Sequence, residues 1–230
     1  MLDYQKDLEK RITINNNYIK NGVEFIDKSQ VYIKGNVKIG KGTVIYPCVV
    51  IEGDVTIGEN CILGQNSRII DSTIGDGVSI QSSHILESSV GGGTSVGPFA
   101  YIRPNSKIGI GCKIGDFVEV KNSTLGDGSK ASHLSYIGDS DVGNGVNIGC
   151  GVVFVNYDGK NKHRSNVGSD SFIGCNVNLV SPVSVGDKSY IAAGSTVTGD
   201  VPSGALCVAR SREEVKPGWV EKKGLLSEKK

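Results

Sequence analysis

Residues 37–63 read VKIGKGTVIYPCVVIEGDVTIGENCIL. An aliphatic side chain returns at every sixth position of this stretch, at Ile39, Ile45, Ile51, Ile57 and Leu63. A period of six matches neither the 3.6-residue period of an α-helix nor the two-residue alternation of a simple strand. Hexapeptide repeats are typical of a parallel β-helix, in which three short strands joined by tight corners form one triangular coil. The stretch therefore predicts an all-β solenoid.

The same repeat continues along most of the chain. It runs from Ile33 to Val197 with a few five-residue steps and one interruption after Phe154. Its further members are Ile69, Ile74, Ile80, Leu86, Val90, Val96, Ile102, Ile108, Ile114, Val120, Leu125, Ala131, Ile137, Val142, Ile148, Val167, Ile173, Leu179, Val185 and Ile191. We expect these side chains to stack inside the prism about 4.8 Å apart. Three hexapeptides per coil give about nine coils.

Composition supports this architecture and excludes several kinds of partner. Aromatic residues make up 6% of the 230 residues and 32 are Gly, which suits a repetitive fold with many tight corners. A net charge of +1 creates no global field for nucleic acid or an anionic membrane, and no apolar run is long enough to span a bilayer. Six cysteines occur without CxxC pairs or metal-ligand spacing: Cys48, Cys61, Cys112, Cys150, Cys175 and Cys207. We therefore expect reduced thiols, a cytoplasmic location, and no metal, nucleic-acid or membrane partner.

Two segments lie outside the repeat. We divide the chain into an amino-terminal helix and cap (residues 1–30), the β-helix (31–206) and a carboxy-terminal tail (207–230). Residues 3 to about 20 carry Leu8, Ile12, Tyr18 and Ile19 among charges, which predicts a helix over the open end of the first coil. The tail is polar and Lys-rich. One interpretation is a solvated segment, and the other is partial docking through Trp219, the only tryptophan.

The interruption after Phe154 is a loop that stands out from the solenoid. Residues 155–166 read VNYDGKNKHRSN and insert seven residues beyond the usual six. A loop that leaves a regular solenoid and carries charges and an aromatic residue is usually functional. We expect Lys160, Lys162, His163 and Arg164 to reach over the groove of a neighbouring subunit.

The coil register places two cations next to each other. Arg103 and Lys121 follow Ile102 and Val120, so they occupy equivalent positions one coil apart, roughly 5 Å from each other at the backbone. Two stacked like charges repel unless an anion lies between them. The alternative is a solvated basic patch with scattered counter-ions. Similarly, one of the three histidines, His133, is either a catalytic group or an ordinary surface side chain.

Several stretches are more specific than the repeat. The chain resembles the carboxy-terminal acetyltransferase half of the bifunctional N-acetylglucosamine-1-phosphate uridyltransferase/glucosamine-1-phosphate acetyltransferase family, a group of hexapeptide-repeat acyltransferases. The stretches that carry the resemblance are GPFAYIRP (97–104), IGDFVEVKNSTLGDGSKASHLSYIGD (114–139), VGNGVNIGCG (142–151), VNYDGKNKH (155–163) and IAAGSTVTGDV (191–201). It covers nearly the whole chain, and the family's uridyltransferase half has no counterpart in these 230 residues.

The resemblance implies a left-handed parallel β-helix and a homotrimer. It also implies acetyl-CoA as co-substrate and N-acetylation of glucosamine 1-phosphate to N-acetylglucosamine 1-phosphate, in the synthesis of the cell-wall precursor UDP-N-acetylglucosamine. His133 is then the general base, and Glu119 orients it across a subunit boundary. The residues implied for the sugar phosphate are Arg103, Lys121, Tyr136, Asn147 and Lys162. His84 and His163 have no such support.

A column of small residues carries the implied acetyl-CoA site. The residues two beyond Ile114, Ala131, Ile148, Ile173 and Ile191 are Asp116, His133, Cys150, Cys175 and Ala193. Three coils beyond His133 make a shallow groove roughly 14 Å long, which suits the thin pantetheine arm. The family places acetyl-CoA contacts at Cys150, Cys175 and Ala193, and also at Asn156, Tyr157 and Arg210. The relatives have Ala or Ser at the two cysteine positions. On the sequence alone, the column could equally reflect tight corners.

Two other functions fit the fold. The first is a hexapeptide acyltransferase that acts on another amino sugar or on a nucleotide-linked sugar, and the intact Arg103, Lys121 and Tyr136 argue against it. The second is a non-catalytic trimerisation solenoid, and the intact Glu119 and His133 argue against that.

Overall fold

A computed structural model describes residues 4–225 and shows a three-sided parallel β-helix of about ten coils. The strands of its first face are Glu24–Phe25, Val44–Ile45, Ile62–Leu63, Ser79–Ile80, Ser95–Val96, Lys113–Asp116, Lys130–His133, Asn147–Ile148, Phe172–Ile173, Tyr190–Ile191 and Leu206–Cys207. All of them pair in parallel with the equivalent strand one coil away. The all-β solenoid is therefore confirmed.

The second and third faces follow within each coil. Tyr32–Ile39 and Val50–Ile57 run over both of these faces. The other strands of the second face are Arg68–Ile70, His84–Leu86, Tyr101–Ile102, Glu119–Lys121, Tyr136–Gly138, Val153–Val155, Asn178–Val180 and Thr196–Val197. The other strands of the third face are Thr73–Ile74, Ser89–Val90, Lys107–Ile108, Thr124–Leu125, Ser140–Val142, Ser165–Val167 and Ser184–Val185.

The core is the stack of inward-facing apolar side chains. Ile102, Val120, Ile137, Phe154 and Leu179 follow one another on the second face, and each is 0% exposed. Burial of each such side chain stabilises the fold by about 1.5–3 kcal/mol. The six-residue pattern therefore codes for the interior of the prism.

The predicted register is wrong at one coil. Leu86 was expected to face inwards, but Ile85 is buried there and pairs with Ile69 and Ile102. The chain takes two five-residue steps at this coil, from Ile80 to Ile85 and then to Val90, so the count of six slips by one residue. The coil number also exceeds the expected nine, because Glu24–Phe25 pairs with Val44–Ile45 before the repeat becomes visible.

Buried serines hold the corner that follows the second face. Ser106 Oγ donates to the carbonyl of Arg103 at 2.7 Å, and Ser123 Oγ donates to the carbonyl of Lys121 at 2.8 Å. Both serines are 1% exposed. Because these bonds satisfy buried carbonyls, they fix the backbone from which the Arg103 and Lys121 side chains leave.

The helix α1 (Tyr4–Lys20) covers the first coil, as predicted. Asn15 is fully buried and donates to the carbonyls of Lys28 and Val31 at 2.8 and 3.0 Å. The Tyr18 hydroxyl donates to the carbonyl of Val37 at 2.9 Å. Ile19, one of the four apolar residues expected to matter, is exposed. The helix is therefore anchored by these polar bonds to the chain below it, including the short 3-10 turn Lys28–Gln30, and by Ile14 and Tyr18, which pack against the core.

The last residues that the structure describes lie on the outside of the solenoid. Residues 211–225 are exposed, and they include the short helix α2 (Trp219–Lys222). The Trp219 side chain is 46% exposed and lies 5.9 Å from the Lys223 ammonium. Within residues 4–225, no helix has the length and apolar character needed to cross a membrane.

Candidate active site

Three cations converge at the corner between the second and third faces. Arg103, Lys121 and Lys162 line a pocket of about 370 Å³ together with Pro104, Asn105, Asn122 and Asp139. We call this pocket the cation pocket. Arg103 and Lys121 come from neighbouring coils, as the register predicted, and Lys162 comes from the inserted loop. The structure thus brings together three of the five residues predicted to hold a sugar phosphate.

The acidic residues of the cation pocket only partly balance its charge. Glu119 Oε1 lies 2.6 Å from an Arg103 guanidinium nitrogen, and Asp139 Oδ2 lies 3.9 Å from Lys121 Nζ. Lys162 has no ion pair among the described residues. The Lys121 ammonium lowers the pKa of Lys162, because it can donate a hydrogen bond to the neutral Lys162 amine and repels the charged form. An anion in the pocket would relieve this repulsion.

Asp139 lines the cation pocket and is held there by two asparagine side chains. Its carboxylate accepts hydrogen bonds from Asn122 Nδ2 at 2.6 Å and from Asn156 Nδ2. Burial alone would raise the pKa of Asp139, but these two bonds and the charge of Lys121 outweigh it and leave that pKa below its ordinary value. The group is therefore a fixed carboxylate that holds the pocket in shape.

Tyr136 and Asn156 lie side by side next to Asp139. Asn156 Nδ2 is 3.3 Å from the Tyr136 hydroxyl, and Asn156 is 7% exposed. The structure thus places Asn156 beside the residues predicted for the sugar phosphate. Its predicted contact with acetyl-CoA stays a prediction.

His133 lies at a different corner, between the first and second faces. Its Nδ1 is 2.7 Å from Asp116 Oδ1, one coil below, and its side chain is 57% exposed. Glu119, which was predicted to orient His133 across a subunit boundary, is paired with Arg103 and makes no hydrogen bond or ion pair with His133 of its own chain within residues 4–225. The contact across the boundary stays a prediction. Asp116 lies in the same column of the repeat as His133, although no role was predicted for it. The column itself was the signal that could have found it.

The predicted site residues thus form two groups in one chain. Leu134 and Asp139, both with positive φ, mark the two corners of the second face, and the strand Tyr136–Gly138 runs between them. His133 lies before the first corner and the cation pocket lies at the second. Asn147 belongs with the histidine side, because it lies on the first face in register with Lys130.

The column of small residues has the register that the sequence predicted. Ala131, Ile148, Ile173 and Ile191 pair in succession on the first face. The backbone of the following corner is equally regular: Asn176 N–H donates to the carbonyl of Cys150, and Gly194 N–H donates to the carbonyl of Cys175, each at 2.8 Å. A Cβ built on Gly194 would lie 3.5 Å from Arg210 Cδ, so Arg210 covers the far end of the column.

The inserted loop is held by its own chain. Asp158 accepts the backbone N–H groups of Lys160 and Asn161 and contacts His163 Nε2 at 2.7 Å. These bonds, with that of Asn161 the largest, lower the pKa of Asp158 to about 2. Tyr157, which is 56% exposed, forms an isolated bridge with Lys162. This hairpin-like closure directs Lys162 back to the cation pocket.

Three residues of the loop that were predicted to reach over a neighbouring subunit are held within their own chain. Lys162 lines the cation pocket and His163 contacts Asp158. Arg164 binds both carboxylate oxygens of Asp141 and the carbonyls of Asn122 and Ser140. It therefore pins the loop to the third face of its own chain.

The other histidines do not line the cation pocket. His163 is held by Asp158 within the inserted loop. The His84 ring contacts the ring of Tyr101 edge to face, with centroids 6.1 Å apart. Throughout the part of the chain that the structure describes, no three His, Cys, Asp or Glu residues are grouped as a metal site would require. The six cysteines are all free.

Comparison with known proteins agrees with the repeat and the fold. The bacterial transferase hexapeptide family (six repeats) matches residues 36–71 and 164–199. The bifunctional protein GlmU of Clostridioides difficile (strain 630) is 59% identical over 93% of this chain and 46% of its own length, and that of Clostridium beijerinckii is 58% identical over 92% and 47%. The chain therefore spans about half the length of the curated relatives it matches.

Among solved structures, the UDP-N-acetylglucosamine acyltransferase of Francisella novicida superposes with a TM-score of 0.52 at 19% identity, covering 85% of this chain and 72% of that chain. This likeness concerns the fold alone, which is the left-handed parallel β-helix. The chain is thus a bacterial-type hexapeptide-repeat protein and a homologue of the carboxy-terminal half of the GlmU proteins.

Proposed function

We propose that the protein transfers the acetyl group of acetyl-CoA to the 2-amino group of glucosamine 1-phosphate. The product is N-acetylglucosamine 1-phosphate, a precursor of UDP-N-acetylglucosamine. The observation that carries the proposal is the cation pocket, in which Arg103, Lys121 and Lys162 meet at one corner of a GlmU-like solenoid. A sugar that carries a phosphate dianion is the ligand that this charge arrangement favours over a neutral amino sugar.

The cation pocket holds the phosphate in this proposal. Arg103 offers a planar pair of N–H donors, while Lys121 and Lys162 act as point charges. The Tyr136 hydroxyl and the fixed Asp139 side chain lie next to the phosphate site and face the sugar ring. The ammonium groups of Lys121 and Lys162, which repel each other in the free protein, both gain an anionic partner when the phosphate binds.

The complete site is built from two chains. In one chain, the corner at Leu134 and the three-residue strand Tyr136–Gly138, roughly 10 Å long, separate His133 from the cation pocket. A single sugar phosphate does not bridge that length. We therefore place His133 and Asn147 of one chain opposite the cation pocket of a second chain. A homotrimer with cyclic symmetry repeats this contact three times.

The column of small residues takes acetyl-CoA. Cys150, Cys175 and Ala193 leave room for the pantetheine arm above His133, so the thioester is delivered to the imidazole. Arg210 at the far end of the column supplies a cation for the phosphates of coenzyme A. Tyr157, from the exposed part of the loop, and Asn156 complete the predicted contacts.

The chemistry needs one proton acceptor. The amino group of glucosamine 1-phosphate is largely an ammonium ion near neutral pH and cannot attack. His133 Nε2 takes one proton from it, the free amine attacks the thioester carbonyl, and the C–S bond breaks. The attacking nitrogen loses its second proton to water, which leaves the neutral amide. The proton held by His133 then passes to the departing thiolate of coenzyme A.

Release of the coenzyme A thiol tests the proposed function. Wild-type protein is mixed with acetyl-CoA and, in turn, with glucosamine 1-phosphate, glucosamine, glucosamine 6-phosphate and a nucleotide-linked amino sugar. We expect kcat/KM to be highest for glucosamine 1-phosphate and about ten-fold or more lower for glucosamine, because a charge-assisted contact is lost. Equal rates with glucosamine would contradict the phosphate site. Preference for a nucleotide-linked sugar, or no release with any acceptor, would favour the two alternative functions.

A further inference from the structure

Asp116 and His133 end two neighbouring strands of the first face. They are directly in register, one coil apart. Gly115 precedes Asp116 in the sequence. It lies so close to the coil above that a Cβ on it would be 1.9 Å from the carbonyl oxygen of Ser132. Only glycine allows this approach. The two backbones are therefore held at a fixed spacing where the carboxylate and the imidazole meet.

The backbone of His133 is also fixed from above and below. Leu134 N–H donates to the carbonyl of Asp116 at 2.9 Å. The carbonyl of His133 accepts a hydrogen bond from Ser135 Oγ at 2.8 Å, and the same hydroxyl lies 3.0 Å from the carbonyl of Gly149. Three successive coils thus determine where the exposed imidazole stands.

The contact between the two side chains determines the tautomer. The hydrogen bond from His133 is the main cause that lowers the pKa of Asp116, so Asp116 is a carboxylate near neutral pH and can only accept. His133 Nδ1, at 2.7 Å, must then carry the hydrogen. In the neutral imidazole this leaves Nε2 without a proton and turned away from the carboxylate.

Asp116 is the only carboxylate that His133 contacts in the described part of the chain. Glu119, the residue to which resemblance gives the orienting role, is held by Arg103 at the cation pocket. We propose that Asp116, from the same chain as His133, is the positioning residue that keeps Nε2 ready to accept the proton of the substrate amine. This inference rests on the proposed function and deepens it.

Kinetics of three variants test the role of Asp116. Asp116→Ala is expected to lower kcat about 10- to 100-fold, which is the usual cost of removing an outer partner of a functional histidine. KM for both substrates should change less than about two-fold, because Asp116 touches neither of them. Asp116→Asn is expected to recover most of the lost kcat, since its amide oxygen still accepts the Nδ1 hydrogen. Asp54→Ala, which removes an exposed carboxylate far along the prism, is the matched control and should behave like wild type.

A double variant separates positioning from a general structural effect. If Asp116 acts through His133, adding Asp116→Ala to His133→Ala should cause no further loss of kcat. A kcat of Asp116→Ala within two-fold of wild type, or an equal further loss in the His133→Ala background, would overturn the proposal. Light scattering and circular dichroism confirm that each variant keeps the assembly and fold of the wild type.

Imidazole nitrogen NMR tests the contact without any turnover. The His133 ring signals are assigned by their absence in His133→Ala. We expect the Nδ1–H tautomer in the wild type and in Asp116→Asn, and its loss in Asp116→Ala. An unchanged tautomer in Asp116→Ala would overturn the proposal. A wild-type protein that acetylates no amino sugar would contradict the proposed function instead, and the NMR spectra would still test the contact.

Discussion

Replacing His133 with alanine is expected to lower kcat by about 10² or more, the usual contribution of a positioned general base. The imidazole is 57% exposed, and within residues 4–225 Asp116 is its one side-chain hydrogen-bond partner, so the substitution removes little packing and should leave the fold intact. Because the base acts only when the proton moves, the affinities for acetyl-CoA and glucosamine 1-phosphate should stay within a few-fold of wild type. Steady-state rates and calorimetric titrations measure the two effects separately.

His84→Ala is the control for this prediction. His84 is also exposed, and it contacts Tyr101 rather than a carboxylate. The His84→Ala variant should have the same kcat as the wild type. If His133→Ala has a kcat near that of His84→Ala, His133 is not the general base.

Replacing Arg103 or Lys121 with alanine is expected to raise KM for glucosamine 1-phosphate by about ten- to a hundred-fold, because each loses a charge-assisted hydrogen bond worth about 1.5–3 kcal/mol. KM for acetyl-CoA should change little, since the column of small residues lies at the other corner. Lys121→Ala is the cleaner variant: Asp139 keeps its bonds from Asn122 and Asn156, whereas Arg103→Ala leaves Glu119 unpaired.

Lys107→Ala provides the matched control for the cation pocket. Lys107 is an exposed cation on the third face and does not line the pocket. Its removal should leave both KM values unchanged. If Lys121→Ala and Lys107→Ala have the same KM for glucosamine 1-phosphate, the phosphate lies elsewhere.

The fold could be predicted because every inward-facing position needs an apolar side chain, and these positions recur about every six residues. The prediction slipped at Leu86, where two short steps shift the register without changing the composition of the stretch. The period also carries no information on handedness, which follows from the chirality of the corners and came from resemblance. The first coil was missed because Phe25 is only half-buried beneath the helix α1.

The candidate site was predictable where it depends on stacking alone. Arg103 and Lys121 meet because their coils are in register. The positions of Asn156 and Arg164 depend on how the inserted loop folds back, which no repeat encodes, so their partners Asp139 and Asp141 were not foreseen. The pairing of Asp116 with His133 required a side-chain distance, which the column suggested but did not supply.

The central claim is that acetyl transfer takes place at a site shared by two chains. Its sharpest test mixes two impaired proteins, His133→Ala, which keeps the cation pocket, and Lys121→Ala, which keeps the base, and assays them at a glucosamine 1-phosphate concentration far below the KM of Lys121→Ala. Co-expressed in equal amounts with different affinity tags, they form mixed assemblies that can be isolated by purification on both tags in turn.

We expect the mixed assemblies to recover about a third of the wild-type rate of coenzyme A thiol release, because every trimer that contains both variants has one interface in three that pairs an intact cation pocket with an intact His133. Each variant alone should stay at its own low rate. If the doubly tagged assemblies are no more active than the separate variants, the base and the phosphate site belong to one chain, and the proposed arrangement is wrong.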